Sequence, residues 1–330
     1  MSPDLPPALR LAADRLLEGV ARKRLAERAA VISQTYRAGG ASAAVVADQT
    51  DAMAYVLSRL PATYAACARA FAEAAGRAPG FAPRSLLDAG AGPGGAGWAA
   101  LATWRTLAQV TLLDSNRAFL EMAERLAADA PTPLRDAART RADLVAPGAA
   151  WPRAELVVAS YALAEIAPPR QAQAVAALWA ACEGLLVLVE PGTPEGWRRI
   201  LAARDQLIAE EARVLAPCPH AQACPLVAPD WCHFVQRLPR SRAHRLAKGA
   251  DAPFEDEKFI YLAAARPHLD IAAPAPRILA PPRAAKPGLT FKLCTPDGRW
   301  ETRQVGKRDK AAFAAARRVD WGDLLPQVEL

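Results

Sequence analysis

The sequence has 330 residues, of which 52% are hydrophobic and 23% charged, and its formal net charge is +7. This balance excludes a disordered or fibrous chain, and no apolar run approaches the roughly 20 residues of a membrane span. Six cysteines in a chain of this length do not make the disulfide framework of a small secreted protein. The first residues carry Asp4 and Asp14 and lack an apolar signal core, so we expect a bacterial cytoplasmic protein.

The N-terminal part, residues 1–80, has apolar residues at helical spacing, which predicts a helical segment. From Arg84 onward, short apolar runs alternate with helical stretches, and the runs predict strands at 85–89, 110–114, 155–160 and 185–190. Strands that alternate with helices indicate a parallel sheet covered on both faces. We therefore expect an α/β fold after the helical segment.

The C-terminal part has a different character. Residues 217–231 are rich in proline and cysteine, and two late strands are predicted at 232–238 and 259–264. Pro296-Asp297-Gly298 is a hairpin signal between two further strands, and a basic helix follows. We therefore expect four parts: a helical segment (1–80), a main domain that includes the cysteine loop 217–232 (81–266), a Pro-rich linker (267–288) and a basic appendix (289–330).

Positive charge is concentrated near one end of the chain. Residues 211–330 hold 19 basic and 13 acidic residues, whereas residues 1–210 hold 22 and 21. A one-sided excess of this kind suggests a polyanionic partner, although an ordinary solvated surface would also explain it. Two groups carry much of the excess: Arg237, Arg240, Arg242, Arg245 and Lys248, and then Lys307, Arg308, Lys310, Arg317 and Arg318.

The strongest local signal is a glycine loop after the first predicted strand. The strand runs into the pattern D-x-G-x-G-x-G, formed by Asp88, Gly90, Gly92 and Gly94, and a helix follows. Glycines let the backbone turn sharply and approach a ligand closely. The pattern differs from the dinucleotide fingerprint and is similar to the first motif of class I S-adenosylmethionine (SAM) methyltransferases. A plain tight turn is the alternative.

Two further acids fit a nucleoside site. Asp114 ends the second strand, where an acid can accept hydrogen bonds from ribose hydroxyls; it could instead cap the next helix. Asp143 resembles the acid that meets the adenine amino group, or it is a simple loop acid. Residues 160–163 follow the fourth strand, where a methyl-acceptor pocket or a packed strand end is expected. No N-P-P-Y motif and no suitably placed nucleophilic cysteine are present, so the catalytic residue is unknown.

A second cluster of chemically useful residues is the cysteine run C-x5-C-x7-C, formed by Cys218, Cys224 and Cys232, with Cys294 further along. Four thiolates can hold zinc or an iron–sulfur cluster, and His220 and His233 are alternative ligands or neighbouring donors. Unrelated buried cysteines are the remaining alternative. The spacing is looser than the C-x2-C pairs of structural zinc sites, and by itself it does not decide between the metals.

Taken together, these motifs and their order resemble the methyltransferase-like proteins associated with the mitochondrial ribosomal small subunit and their bacterial relatives. The resemblance also includes residues 54–64, 190–194, 306–310 and 321–323. It implies a class I SAM-methyltransferase fold with SAM at the glycine loop. It also implies a [4Fe–4S] cluster on Cys218, Cys224, Cys232 and Cys294, with zinc as the alternative.

The resemblance implies a role in assembling the small ribosomal subunit, with its rRNA or precursor particle as the partner and with neither DNA nor a membrane. The activity stays open between an rRNA-directed methyltransferase and a non-catalytic RNA-binding assembly factor that keeps the SAM fold. A small-molecule methyltransferase is a weaker alternative, because one fold serves many acceptors and the basic C-terminal third favours RNA.

Overall fold

The computed structural model describes residues 4–37, 40, 42–146 and 151–326. Within these residues, four α-helices precede the first strand, and Pro61 lies in the first turn of the last of them, where proline costs no helical hydrogen bond. Asp48 caps the third by accepting a hydrogen bond from the backbone N–H of Asp51 at 3.0 Å. The helices are α1 (Pro7–Leu17), α2 (Arg22–Arg37), α3 (Gln49–Ser58) and α4 (Leu60–Arg77).

The main domain alternates strands and helices, as the sequence predicts. The order of its elements is β1 (Ser85–Ala89), α5 (Gly95–Thr103), β2 (Gln109–Asp114), α6 (Arg117–Leu126), α7 (Thr132–Arg135), β3 (Ala138–Arg141), β4 (Ala154–Ser160), α8 (Pro168–Ala181), β5 (Cys182–Pro191), α9 (Pro194–Ala209), β6 (Arg213–Ala216), β7 (Phe234–Pro239), α10 (Arg242–Lys248) and β8 (Phe254–Ala265).

These strands form one sheet in the order β3-β2-β1-β4-β5-β8-β6, and β7 also pairs with β8. The first five strands are parallel, whereas β8 runs antiparallel to β5, β6 and β7. The sheet confirms the expected class I SAM-methyltransferase fold. Residues 185–189 of β5 are fully buried, which explains why this strand is a continuous apolar run: helices cover both faces of a parallel sheet.

A second, smaller sheet follows. It contains β9 (Arg277–Ile278), β10 (Arg283–Ala285), β11 (Gly288–Cys294) and β12 (Trp300–Gly306), and α11 (Lys310–Ala316) packs against it. Its own apolar core includes Ile278, Phe291 and Leu293. The strands β9 and β10 lie inside the stretch 267–288, where the sequence predicts a Pro-rich linker.

One buried arginine connects distant parts of the chain. Arg277 is 1% exposed, and it donates from Nη1 to the carboxylate of Glu73 and to the carbonyl of Gly322, both at 2.5 Å. Its Nε donates to the carbonyl of Pro217 at 3.0 Å. A charged group at this depth is stable only when it is paired and hydrogen-bonded, so this arginine depends on all three segments.

Among the described residues, no helix combines the length and the apolar character that crossing a bilayer requires.

Candidate functional site

The glycine loop lies at the carboxyl ends of β1 and β2. Gly90, Gly92 and Gly94 have φ angles of 72°, 53° and 85°, a region that other residues rarely adopt. The N–H groups of Gly90 and Ala91 donate to the carbonyl of Leu113 at 2.8 and 2.9 Å. The loop is therefore fixed to the neighbouring strand before it enters α5.

The glycines of this loop have different roles. A Cβ atom on Gly90 would lie 2.7 Å from the Cβ of Ala162, so this glycine is required by protein packing. A Cβ atom on Gly92 would have no protein atom within 4 Å. The space above Gly92 is thus open, as an approaching ligand requires.

Asp114 holds the loop from the side of β2. Its Oδ2 accepts a hydrogen bond from the N–H of Gly92 at 2.7 Å, and its Oδ1 accepts one from the N–H of Asn116 at 2.8 Å. Asn116 in turn caps α6 by accepting from the N–H of Ala118 at 2.9 Å. Burial raises the pKa of the Asp114 carboxyl. The carboxylate keeps free lone pairs on both oxygens, so it can still accept from a ligand.

Asp88 is fully buried beneath the loop. Its Oδ2 accepts from the N–H of Gly97 at 3.1 Å, while its Oδ1 has no hydrogen-bond partner within the described part of the chain. Burial, together with the nearby charge of Asp114, raises the pKa of Asp88 to about 7. An unpartnered buried carboxylate oxygen is costly, so a donor from a bound ligand would stabilise it.

Asp143, the remaining residue of the predicted cofactor site, lies in a turn near the glycine loop. Asp143 is exposed, and its Oδ1 accepts from the N–H of Val145 at 3.0 Å, so it closes a turn. The side chain of its neighbour Leu144 lies 3.5 Å from the position of a Gly90 Cβ. The turn at 143–145 is thus brought beside the glycine loop.

The end of β4 holds a buried polar group that the sequence does not reveal in full. Tyr161 has a φ angle of 59°, and its hydroxyl donates to Oε1 of Glu257 at 2.8 Å. Arg59 lies 3.5 Å from the same carboxylate and 5.9 Å from the Tyr161 ring centre. Burial raises the pKa of Tyr161. The arginine comes from the helical segment and the glutamate from β8, so only the folded chain brings them together.

All four cysteines of the predicted metal site line one cavity between α9, the cysteine loop and β11. The Sγ of Cys294 lies 3.2 Å from Nε2 of His220. Burial raises the pKa of each thiol, that of Cys294 to about 12. For Cys232, the proximity of the other three cysteines raises its pKa further. His233 stacks on Trp231, with ring centres 5.1 Å apart, and takes no part in this cavity.

A buried cation faces these thiols. Arg204 is 1% exposed, and its Nη2 donates to the carbonyls of His220 and Gln222 at 3.0 and 2.7 Å. Its nearest acid is the largely exposed Asp205, and its Nε has no partner among the described groups. The positive charge favours the thiolate form of Cys218 and so lowers its pKa, although burial has the larger effect. The sequence gives no signal that singles out this arginine.

Within residues 4–37, 40, 42–146 and 151–326, no group of three or more His, Cys, Asp and Glu side chains has the arrangement of a metal site. The expected [4Fe–4S] cluster therefore has no support from this geometry. The donor chemistry does fit an anionic metal–thiolate group, because four thiols surround one cavity and the buried Arg204 has an unpaired N–H.

The two basic groups differ in their surroundings. In the first group, Arg237 pairs with Asp256 at 2.7 Å, and both Arg240 and Lys248 pair with Glu255 at 3.2 and 2.5 Å. In the second group all five side chains are exposed, and none forms an ion pair with a described residue. Within the described residues, the second group therefore offers more unpaired cations to a polyanion than the first, in which only Arg242 and Arg245 lack an ion pair. Arg283 in β10 and the adjacent Lys286 are also exposed and form no ion pair there.

Comparisons of the sequence with known proteins agree on one family. Residues 49–326 match the family described as mitochondrial small ribosomal subunit Rsm22. The human mitochondrial ribosome assembly protein METTL17 is 30% identical over 291 residues, which are 83% of this chain and 62% of that protein. The mitochondrial Rsm22-cox11 tandem protein 2 of Schizosaccharomyces pombe is 29% identical over 52% of this chain and 29% of its own. The chain thus spans less than two thirds of these relatives.

Among solved structures, the magnesium protoporphyrin IX methyltransferase of Synechocystis with bound SAM is similar to this chain. It has 13% identity and a TM-score of 0.40, over 63% of this chain and 84% of its own.

The mitochondrial names of the family and of the two relatives contradict the bacterial cytoplasmic setting expected from the sequence. That expectation is wrong because the features on which it depends, few cysteines and no apolar signal core, are evidence against secretion and do not distinguish among reducing compartments.

Proposed function

Because this chain belongs to the Rsm22 family, we propose that it is a SAM-binding, methyltransferase-like factor that acts on rRNA during assembly of the small ribosomal subunit. METTL17 is named as a ribosome assembly protein, and 83% of the present chain aligns with it. The proposal has three parts: a cofactor site, a metal–thiolate tie and an RNA-binding surface.

The open glycine loop carries the first part. SAM would lie above Gly92, where a Cβ would meet no protein atom, and the unpartnered Oδ1 of Asp88 would accept a hydrogen bond. Asp114, Asp143, Gly90 and Gly94 complete the site, Asp114 facing the ribose. SAM supplies an electrophilic methyl group, and the protein needs mainly to position the acceptor.

The cysteine cavity supports the second part. Cys218, Cys224, Cys232 and Cys294 would hold a [4Fe–4S] cluster, and zinc is the alternative occupant. Such a cluster carries net negative charge, which the buried guanidinium of Arg204 would offset. Its role would be structural, because the metal would tie a loop of the main domain to β11 of the appendix and so close a loop of the chain. In this proposal residues 289–330 form a unit fixed to the main domain through Cys294.

The unpaired cations of the appendix support the third part. Exposed Lys and Arg side chains bind phosphates and provide affinity without sequence choice. The second candidate function is a non-catalytic assembly factor that binds SAM and RNA without methyl transfer. The absence of a recognised catalytic motif from the sequence favours this version, whereas the intact glycine loop favours retained SAM binding.

Copurification tests the assembly role. The tagged protein is expected to sediment with precursors of the small ribosomal subunit and to return to the free fraction after RNase treatment. Sedimentation only with free protein would reject the role. Primer extension across the copurified rRNA, with and without the protein in the cell, would then separate methyl transfer from a binding role.

A further inference from the structure

Trp300 is the one exposed tryptophan among the eight of this chain, all of which are described. It is 52% exposed and lies at the start of β12. Its cross-strand partner is Cys294, which is 7% exposed. The indole therefore stands at the boundary where the covered part of the appendix sheet becomes open to solvent.

The face of the sheet around Trp300 is polar and basic. Side chains alternate between the two faces of a strand, so Trp300, Thr302 and Gln304 lie on one face and Glu301 lies on the other. Cross-strand pairing adds Thr290 and Lys292 to the face of Trp300. Arg283 joins them from β10.

Lys292 is placed beside the indole. Its Nζ lies 5.8 Å from the centre of the Trp300 ring, and it also pairs with the half-exposed Asp230 of the cysteine loop. The lysine occupies one side of the ring, and the exposed side stays available. Thr302 and Gln304 are exposed next to it and offer both hydrogen-bond donors and acceptors.

We propose that Trp300 is a stacking platform for an unpaired nucleobase of RNA, with the unpaired Arg283 contacting a phosphate of the adjoining nucleotides. A single flat aromatic surface, bordered by cations and amide or hydroxyl groups, is the arrangement that binds single-stranded RNA. A protein-docking site would instead expose a wider apolar patch, whereas the exposed neighbours of Trp300 on this face, Thr302 and Gln304, are polar. The inference rests on the proposed RNA-binding function and assigns one site to it.

Fluorescence anisotropy with a labelled, unstructured RNA oligonucleotide tests the proposal on the full chain. Trp300→Leu removes the aromatic plane but keeps an apolar side chain, and Trp300→Phe restores a plane. Phe254→Leu is the matched control, because Phe254 is an exposed aromatic residue, 39% accessible, on a strand of the main sheet. Metal content and circular dichroism of each variant verify that the fold is kept.

Trp300→Leu is expected to weaken binding by about 5- to 150-fold, since one base stack contributes roughly 1–3 kcal/mol. Trp300→Phe should recover most of the affinity, and Phe254→Leu should leave it unchanged. The loss should be equal at all salt concentrations, because stacking releases no counterions, and it should disappear with an oligonucleotide of abasic residues.

Equal binding by wild type and a folded Trp300→Leu variant would overturn the stacking site while leaving RNA binding intact. Absence of binding by every protein, including wild type at low salt, would instead reject the RNA-binding function and the stacking site with it. If the difference in RNA affinity between wild type and Trp300→Leu became smaller at higher salt, Trp300 would act by supporting phosphate contacts. That result would also reject the stacking site.

Discussion

The backbone N–H of Gly92 donates to the Oδ2 of Asp114 at 2.7 Å. Gly92, which has open space above it, is thus held by Asp114, the acid proposed to bind the ribose. A ligand above Gly92 would therefore also contact Asp114. The hydrogen bond also fixes the left-handed backbone of the loop before any ligand arrives. A site of this kind is pre-organised, which reduces the entropy lost on binding.

The first prediction concerns Gly92→Ala. The added methyl group meets no protein atom but would occupy ligand space, so SAM affinity measured by calorimetry should fall at least about tenfold. Gly249→Ala is the matched control, because Gly249 has a similar φ of 57° and equally open surroundings at the end of α10. Both changes should cost about 1–2 kcal/mol of stability. Equal SAM affinity in the two variants would remove Gly92 from the site.

The second prediction concerns the buried Asp88. Its ordinary pKa of 3.8 rises to about 7 in the folded protein, so between these values the folded state keeps a proton that the unfolded state has lost. Stability without ligand should therefore fall as pH rises from about 4 to 7, by up to about 4 kcal/mol. In Asp88→Asn this part of the decline should vanish, as measured by urea denaturation at pH 5 and pH 8.

A residual decline is expected in that variant. The pKa of Glu190 also rises to about 7, because burial outweighs its ion pair with Arg199. The difference between wild type and Asp88→Asn therefore isolates the first carboxyl group. An identical pH dependence in the two proteins would show that Asp88 is already ionised at pH 5.

The third prediction concerns the cations of the appendix. Replacing its unpaired basic residues with glutamine should flatten the salt dependence of RNA affinity, because each lost phosphate contact lowers the slope by about 0.7 for a single strand. Arg237→Gln is the control, since its guanidinium is already paired with Asp256. The residues to be replaced are Lys307, Arg308, Lys310, Arg317 and Arg318. An unchanged slope of RNA affinity against salt would show that RNA binds to another surface of the protein.

The fourth prediction concerns Cys294. Protein purified without oxygen is expected to be brown, with iron and sulfide in nearly equal amounts, and Cys294→Ser should lose most of the metal. RNA affinity should fall while SAM affinity is kept, because the appendix loosens and the main sheet does not. Cys182→Ser, which changes another buried cysteine away from the cavity, should keep the metal.

Two results would change that assignment. Colourless anaerobic protein with stoichiometric zinc would replace iron but keep the four ligands. Unchanged metal content and RNA binding in Cys294→Ser would reject the four-ligand site itself.

The sequence predicts the strand–glycine–helix unit and the central strands because their signals are local: apolar runs, glycines and helix starts. It does not reveal β6 or the short β9, because two to four residues carry too little pattern and form strands only beside β8 and β11. The ion pair between Arg240 and Glu255 depends on the register of β7 against β8, and the sequence alone therefore presents that arginine as free. The position of Arg204 beside the cysteines likewise arises only from packing of α9 on the loop.

Arg277 has a consequence for the order in which the chain is completed during synthesis. The ribosome releases the N-terminal residues first, and α4 with the parallel strands can form before residue 277 emerges. Until then Glu73 has only Arg69 of its own helix as an ion-pair partner, at 3.0 Å, and the carbonyl of Gly322, which also binds Arg277, is synthesised later still. We therefore expect a nascent chain stopped before residue 277 to be more sensitive to protease than one extended past residue 322, in which Arg277 has all three of its partners.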